Sequence, residues 1–163
     1  MCIRDSNYPC MDAIDDDVVL AYRGTEQGDL NFILNSWLKS YQNARKLVRP
    51  DLFFAGQQRL IGALAQNTPL IICCDGKPGR SHFIYGYICG TMNVEQKTLT
   101  LHYIYVKAGY RTVGLAKDLL KKIGWTPYTL IIATHWTPVC ATLAQRYNLT
   151  FSDYPLMIGN QDV

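Results

Sequence analysis

The chain has 163 residues, a formal net charge of +3, 48% hydrophobic residues and 18% charged residues. This composition is typical of one folded domain with a buried core, and it excludes an intrinsically disordered chain. The small net charge, without a basic run or a long apolar run, argues against nucleic-acid and membrane partners, and a cytoplasmic protein is expected.

Residues 1–14 are predicted to be a non-native or disordered segment, and residues 15–163 to be a single domain. The opening residues, MCIRDS, are interpreted as translated read-through of a sequencing adapter. Asp17–Tyr22 predicts a first strand. Asp29 is expected to cap a helix with an apolar stripe at helical spacing and a polar opposite side that includes Lys39. A second helix is predicted from Pro50 to about Gln66.

Three strands are predicted next, over residues 69–74, 82–92 and 98–106. Their short connections predict an antiparallel meander. Gly86 and Gly90 interrupt the middle strand and indicate a bulge or a close approach by a ligand. Strict alternation along the third strand would place Leu99, Leu101, Tyr103 and Tyr105 on one face and Thr100, His102, Ile104 and Val106 on the other.

The last third of the chain alternates between helices and strands. A helix is predicted to begin near Ala116 and to end at Gly124. The apolar run from Tyr128 to Thr134 predicts a central strand, parallel to the preceding one because the connection is a crossover. Thr137 and Pro138 predict the start of a final helix, followed by strand structure around residues 151–158.

Six cysteines are present, and none of them forms a C-x-x-C pair. Cys73 and Cys74 are adjacent in an apolar strand and must point to opposite faces, which favours buried thiols. The three histidines are widely separated, so no metal site is predicted and the cysteines are expected to be reduced.

The run Arg111-Thr112-Val113-Gly114-Leu115-Ala116 lies between a strand and a helix. Peptide N–H groups at a helix N-terminus bind phosphate, and glycine allows close approach of the anion. The run resembles motif A of the GNAT (GCN5-related N-acetyltransferase) superfamily, which has Arg or Gln, two residues, Gly, one residue, then Gly or Ala. Val106 and Tyr110 are similar to the upstream part of that motif, where Ala108 stands in place of the usual proline.

The segment from Ala141 to Phe151 is similar to the closing pattern of the same family. Thr150 stands where the family has glycine, and Cys140 stands near the usual asparagine. The resemblance implies an α/β (α+β) fold with a mixed, mainly antiparallel central sheet, a splayed parallel strand pair and helices on both faces. It also implies that acetyl-CoA binds as a cosubstrate between the splayed strands, at Ile104, Val106, Arg111, Thr112, Val113, Gly114, Leu115 and Ala116.

Two catalytic residues are predicted. Tyr147 matches the family's tyrosine that protonates the departing thiolate, and an ordinary core tyrosine is the competing interpretation. His102 is the candidate base, because strict alternation puts it on the same strand face as Ile104 and an unperturbed histidine has a pKa of about 6.5. A sheet histidine satisfied by hydrogen bonds is the competing interpretation. Glu95 is a weaker candidate base, and His135 and Trp136 are candidates for the border of the acceptor site.

The resemblance implies an acetyl-CoA-dependent N-acyltransferase that moves an acetyl group to a primary amine by direct attack. The acceptor is an amine-bearing small molecule or protein, and the chain is expected to be a monomer or a homodimer. The alternative is a non-catalytic GNAT-like binding or accessory protein of bacterial or phage origin. A cysteine nucleophile at Cys140 is disfavoured, because the sequence places no histidine as its partner.

Overall fold

The computed structural model describes residues 18–41 and 46–153, and within them six strands and four α-helices. They are β1 (Leu20–Arg23), α1 (Leu30–Lys39), α2 (Pro50–Asn67), β2 (Leu70–Asp75), β3 (Ile84–Asn93), β4 (Thr98–Val106), α3 (Leu115–Lys122), β5 (Leu130–Ala133), α4 (Pro138–Ala144) and β6 (Leu149–Phe151). This order confirms the predicted one. The predicted N-terminal segment, the boundary at residue 15 and residues 154–158 of the predicted last strand lie outside the described residues.

The six strands form one sheet in sequence order from β1 to β6. Neighbours from β1 to β4 are antiparallel, whereas β5 is parallel to both β4 and β6. One buried cluster packs α3 and α4 against the sheet through Leu115, Leu119 and Leu143. A second cluster packs α1 and α2 on the other face through Ile33, Trp37 and Ile61. The predicted fold class, a mixed and mainly antiparallel sheet with helices on both faces, is confirmed.

Strand β4 contains one extra residue, which has no opposite residue in the neighbouring strand β3. Cys89 of β3 pairs with Tyr103, and the next residue, Gly90, pairs with Leu101, so His102 is inserted between them. A bulge of this kind reverses the inward and outward alternation of the strand. The prediction of strict alternation was therefore wrong: Leu99 and Leu101 share one core cluster with Ile104 and Val106, while Tyr103 packs on the α1 side.

The two glycines of β3 allow the neighbouring strand to come close. A Cβ atom at Gly90 would lie 2.5 Å from the carbonyl oxygen of Thr100, and one at Gly86 would lie 2.8 Å from that of Tyr105. Any side chain here would push β3 and β4 apart. A bulge is thus present beside each glycine: the pairing of β2 with β3 skips Tyr85 next to Gly86, and the pairing of β3 with β4 skips His102 next to Gly90. The close approach at both glycines is made by backbone.

The helix ends follow the sequence signals with one exception. Thr137 caps α4 as predicted, since its Oγ1 accepts a hydrogen bond from the N–H of Cys140 at 3.3 Å. Gly124 ends α3 in the left-handed region with a φ of 103°. Asp29 precedes α1 but makes no capping bond to it, because its carboxylate accepts hydrogen bonds from the Arg23 guanidinium, at 2.6 and 2.9 Å.

None of the helices in residues 18–41 and 46–153 is long and apolar enough to cross a membrane.

Candidate functional site

A gap opens where β4 and β5 stop pairing. The two strands pair from Thr98 with Leu130 to Leu101 with Ala133, and the N–H of Thr134 makes a last bond to the Leu101 carbonyl at 3.0 Å. Strand β4 continues to Val106, whereas the segment after β5 turns away from β4 and leads into α4. A cavity of about 790 Å³ occupies this region, with walls from β4, α1, α4 and the segment that leads into α3.

The cavity brings together several of the predicted site residues. Its lining includes Ile104, Val106, Arg111, Gly114, Ala116 and Tyr147. The side chains of Thr112 and Val113 are exposed and that of Leu115 is fully buried in the core, and these three do not line it. The binding of the cosubstrate by the peptide N–H groups of these three residues stays a prediction.

The peptide group of Ile104 faces the cavity. The N–H of Lys107, just past the end of β4, donates to the carbonyl of Tyr85 in β3 at 2.8 Å. Because successive peptide groups of a strand point to opposite edges, the N–H of Ile104, three residues earlier, points away from β3. No strand among residues 18–41 and 46–153 lies beside that edge of β4 at this position, which leaves the N–H available to a ligand.

The N-terminus of α3 forms the adjoining wall. Gly114 precedes the helix in the left-handed region with a φ of 84°, and a Cβ atom there would meet no atom within 4 Å. The N–H groups of Lys117 and Asp118 donate to the Gly114 carbonyl, at 3.0 and 3.2 Å. The N–H groups of Leu115 and Ala116 precede these first helical bonds, and such groups together with the helix dipole attract anions.

The charge of the cavity wall is positive. Lys39, Arg111, Lys117 and Arg146 line it, and no aspartate, glutamate or histidine among the described residues does. Arg111 is held by its Nε, which donates to the Val106 carbonyl at 3.2 Å, so its two terminal nitrogens stay available. Guanidinium groups in such a position bind phosphate oxygens in pairs.

Tyr147 lies on the turn after α4. Its N–H donates to the Leu143 carbonyl at 2.9 Å. Its ring packs edge-on against Trp125, with centroids 5.1 Å apart and an interplanar angle of 87°. The Trp125 Nε1–H is buried without a hydrogen-bond partner in the described part of the chain, so this indole contributes packing that fixes the tyrosine ring in the cavity wall.

His102 lies outside the cavity. Its Nδ1 is 2.9 Å from the hydroxyl of Thr134, and the same hydroxyl is 2.9 Å from the Nδ1 of His135. Burial lowers the pKa of both imidazoles to about 4, so both are neutral at pH 7. One hydroxyl has a single proton to donate, so one Nδ1 accepts from it and the other donates to it, and the two rings are different tautomers.

The shared strand face that linked His102 to Ile104 is thus absent, because the bulge intervenes. The assignment of His102 as the base stays a prediction without support from its position. Glu95 is exposed in the turn between β3 and β4 and does not line the cavity. His135 packs edge-on against Trp37 with centroids 5.5 Å apart, and Trp136 is exposed beside Phe151.

The resemblance implies that the helix pair after β1 forms part of the acceptor cleft, but the sequence analysis did not identify the residues of α1 that line the cavity. The lining residues from this segment are Phe32, Asn35, Ser36, Lys39 and Ser40, and they face Tyr103 and Tyr105 of β4. Spacing of three and four residues was the available signal. The polar members of this set are also typical of a solvent-exposed helix face, so the spacing alone does not predict a cavity wall.

Cys140 is buried at the start of α4 and does not line the cavity. No group of three or more potential metal ligands was found among the described residues.

No family model and no curated protein matches the chain. Among solved structures, a Pyrococcus furiosus protein described as an acetyl transferase superposes with a TM-score of 0.53, at 15% identity, over 78% of this chain and 91% of that one. The chain has the GNAT fold.

Two further structures with related names match less well. A GNAT-family acetyltransferase from Staphylococcus aureus Mu50 matches at 17% identity with a TM-score of 0.44, and the match covers 64% of each chain, less than two thirds of that protein. Aminoglycoside N-acetyltransferase AAC(6')-Iy, in complex with CoA, matches at 14% identity with a TM-score of 0.48, over 82% of this chain and 87% of that one. At these identities the likeness concerns the GNAT fold alone.

Proposed function

We propose that the chain is an acetyl-CoA-dependent N-acyltransferase that transfers an acetyl group directly to a primary amine. The observation that carries the proposal is the cavity between β4 and β5. It combines the peptide group of Ile104, the N-terminus of α3 and a positive wall in one space of about 790 Å³. These are the groups needed to hold a long thioester ligand with several phosphates.

The wall fits the cosubstrate in charge and in shape. Arg111, Lys117 and Arg146 supply the cations for phosphate groups, and Gly114 leaves room beside the first amides of α3. Acetyl-CoA, when bound, supplies the activated acetyl thioester. The N–H of Ile104 would then donate to the thioester carbonyl oxygen, where negative charge develops during attack.

In the transfer, the amine nitrogen bonds to the carbonyl carbon as the carbon–sulfur bond breaks, and sulfur keeps the electron pair. The Tyr147 hydroxyl lines the cavity and is the candidate donor of the proton that the thiolate takes up. The amine in turn loses one proton, and no carboxylate or imidazole from the described residues lines the cavity to accept it. Burial raises the pKa of Tyr103 and of Tyr105, so both phenols stay protonated at neutral pH and neither is available to accept this proton.

The acceptor is therefore expected to lose its proton to water. Calorimetric titration with acetyl-CoA, followed by thiol release with primary amines from about pH 6 to about pH 10, tests the proposal. We expect binding, and a kcat/KM that rises with pH towards the pKa of the amine without a plateau near neutral pH. Absence of acetyl-CoA binding at about 1 mM ligand would refute the proposed function.

The lack of a base among the described lining residues favours a second candidate, a GNAT-like protein that binds the cosubstrate without transfer. Tight binding together with no thiol release above the uncatalysed rate, for any amine at any pH tested, would select this candidate.

A reducing compartment, and with it the cytoplasm, is part of the first proposal. It is supported by Cys73, Cys74, Cys89 and Cys140, which are free and buried.

A further inference from the structure

One face of α1 also lines the cavity, and α1 packs on the face of the sheet opposite to α3. Phe32, Asn35, Ser36 and Lys39 follow one another at intervals of three, one and three residues, and all four line the cavity. Residues three and four positions apart lie on the same side of a helix. The acceptor of the proposed transfer would therefore meet this face.

The serine hydroxyls on this side are already bonded within the protein. Ser36 Oγ lies 2.7 Å from the Phe32 carbonyl, to which it donates, and 2.8 Å from the Tyr87 hydroxyl. Ser40 Oγ donates to the Trp37 carbonyl at 2.6 Å. These two groups shape the wall and have little capacity left for a ligand.

Asn35 and Lys39 are different. Both side chains are exposed, and neither makes a side-chain hydrogen bond or an ion pair with the described residues. They are four residues apart, so an amide and an ammonium group lie one helical turn from each other on the cavity side. An amide N–H and an ammonium together are donors suited to the two oxygens of a carboxylate.

No carboxylate among the described residues lines the cavity, so none of them can form an ion pair with a second positive charge on the acceptor. Asp29 pairs with Arg23 and Asp75 with Arg80, and neither aspartate lines the cavity. The sequence that follows α1, residues 42–45, contains no acidic residue. A diamine or a polyamine would bring an ammonium group to Lys39 without a counterion, which is repulsive.

We propose that the acceptor is an amine that also carries a carboxylate, and that Lys39 and Asn35 bind this carboxylate. Phe32 and Tyr105, which pack edge to face with centroids 5.7 Å apart, supply an apolar surface for the carbon chain between the two groups. The inference rests on the proposed function, because it concerns the second substrate of that reaction.

Three probes of equal chain length test it: 4-aminobutyrate, n-butylamine and 1,4-diaminobutane. Their amines are similar in basicity, and their far ends are negative, neutral and positive. For the wild-type chain we expect kcat/KM to fall in that order, by about tenfold from the first probe to the second. Binding of the three probes to the protein saturated with coenzyme A is expected to follow the same order.

Charge reversal at Lys39 should invert this preference. Lys39→Glu is expected to lower kcat/KM for 4-aminobutyrate by about 100-fold, mainly through KM, and to make 1,4-diaminobutane the best of the three. Lys39→Gln should remove the discrimination without inverting it. Arg59→Glu, a charge reversal on the exposed side of α2, is the matched control and should keep the wild-type order.

The affinity for acetyl-CoA separates the two proposals. Loss of binding in the wild-type chain would refute the proposed function itself. If acetyl-CoA binds equally well to the wild type and to Lys39→Glu, but the wild type prefers the diamine or the variant keeps the wild-type order, the carboxylate site is refuted and the proposed function stands.

Discussion

The two sides of the cavity are built from different parts of the polypeptide. In the proposed function, the side formed by β4 and α3 would bind its ligand through the backbone: the Ile104 peptide group, the left-handed turn at Gly114 and the first amides of α3. The side formed by α1 would bind through side chains, above all the proposed pair Asn35 and Lys39. A backbone site keeps its chemistry when most side chains change, whereas a side-chain site changes with each substitution. The first suits a fixed ligand and the second suits a variable one.

The largest effect is expected from filling the space at Gly114. Gly114→Glu should weaken acetyl-CoA binding by about 100-fold or more, because it puts a bulky anion beside the first amides of α3. Gly114→Asn should be milder, since asparagine tolerates the left-handed region. Calorimetry measures both, with Gly56→Glu on α2 as the control, where a Cβ also meets no atom within 4 Å. Unchanged affinity in Gly114→Glu would mean that the ligand does not use this side of the cavity.

A smaller effect is expected from the hydroxyl of Tyr147. Tyr147→Phe should lower kcat by about 10- to 100-fold, because the thiolate loses its proton donor, while the Kd of acetyl-CoA stays within about twofold. Tyr128→Phe, which removes the hydroxyl of an exposed tyrosine, is the control. If binding and turnover fall together, Tyr147 has a structural role, and if neither changes, another group donates the proton.

The smallest effect on the reaction is expected at His102, which lies outside the cavity. His102→Gln should leave kcat and its pH dependence within about twofold, since the imidazole is off the cavity and neutral. A tenfold fall in kcat with loss of a titration near neutral pH would instead support the role of His102 as the base.

His102 and His135 are expected to make the stability of the protein depend on pH. Burial lowers the pKa of His102 and of His135 to about 4, below the usual value of about 6.5, so the unfolded chain binds more protons between these limits. The free energy of unfolding is therefore highest above about pH 6.5 and decreases as the pH falls towards 4. Each histidine lowers it by at most on the order of 3 kcal/mol. Urea denaturation across this range measures the loss, and His102→Gln should make the dependence shallower. A pH-independent stability would contradict the buried, neutral state of the pair.

Sequence reasoning succeeded where a feature is local. The turn at Gly114, the cap at Thr137 and the end of α3 at Gly124 each depend on a few consecutive residues, and the element order follows from short segments. It failed for the alternation of side chains along β4, because a bulge is defined by the partner strand. Nothing within residues 98–106 reveals that the pairing with β3 skips one residue of β4. It did not place Lys39 in the cavity wall, because the spacing of a lysine on a helix does not reveal whether its side chain faces water or a cavity.

The inserted residue in β4 also decides the direction of one peptide bond. Leu101 turns its carbonyl to β5, and in a regular ladder Tyr103 and Tyr105 would point to the same edge while Ile104 pointed to β3. Because His102 is inserted, these directions are exchanged: Tyr103 and Tyr105 point to β3, and the N–H of Ile104 points to the open edge of β4. Leu101 and Tyr103 pair with adjacent residues of β3, so a deletion of His102 would leave a regular ladder in which the N–H of Ile104 still points to the open edge.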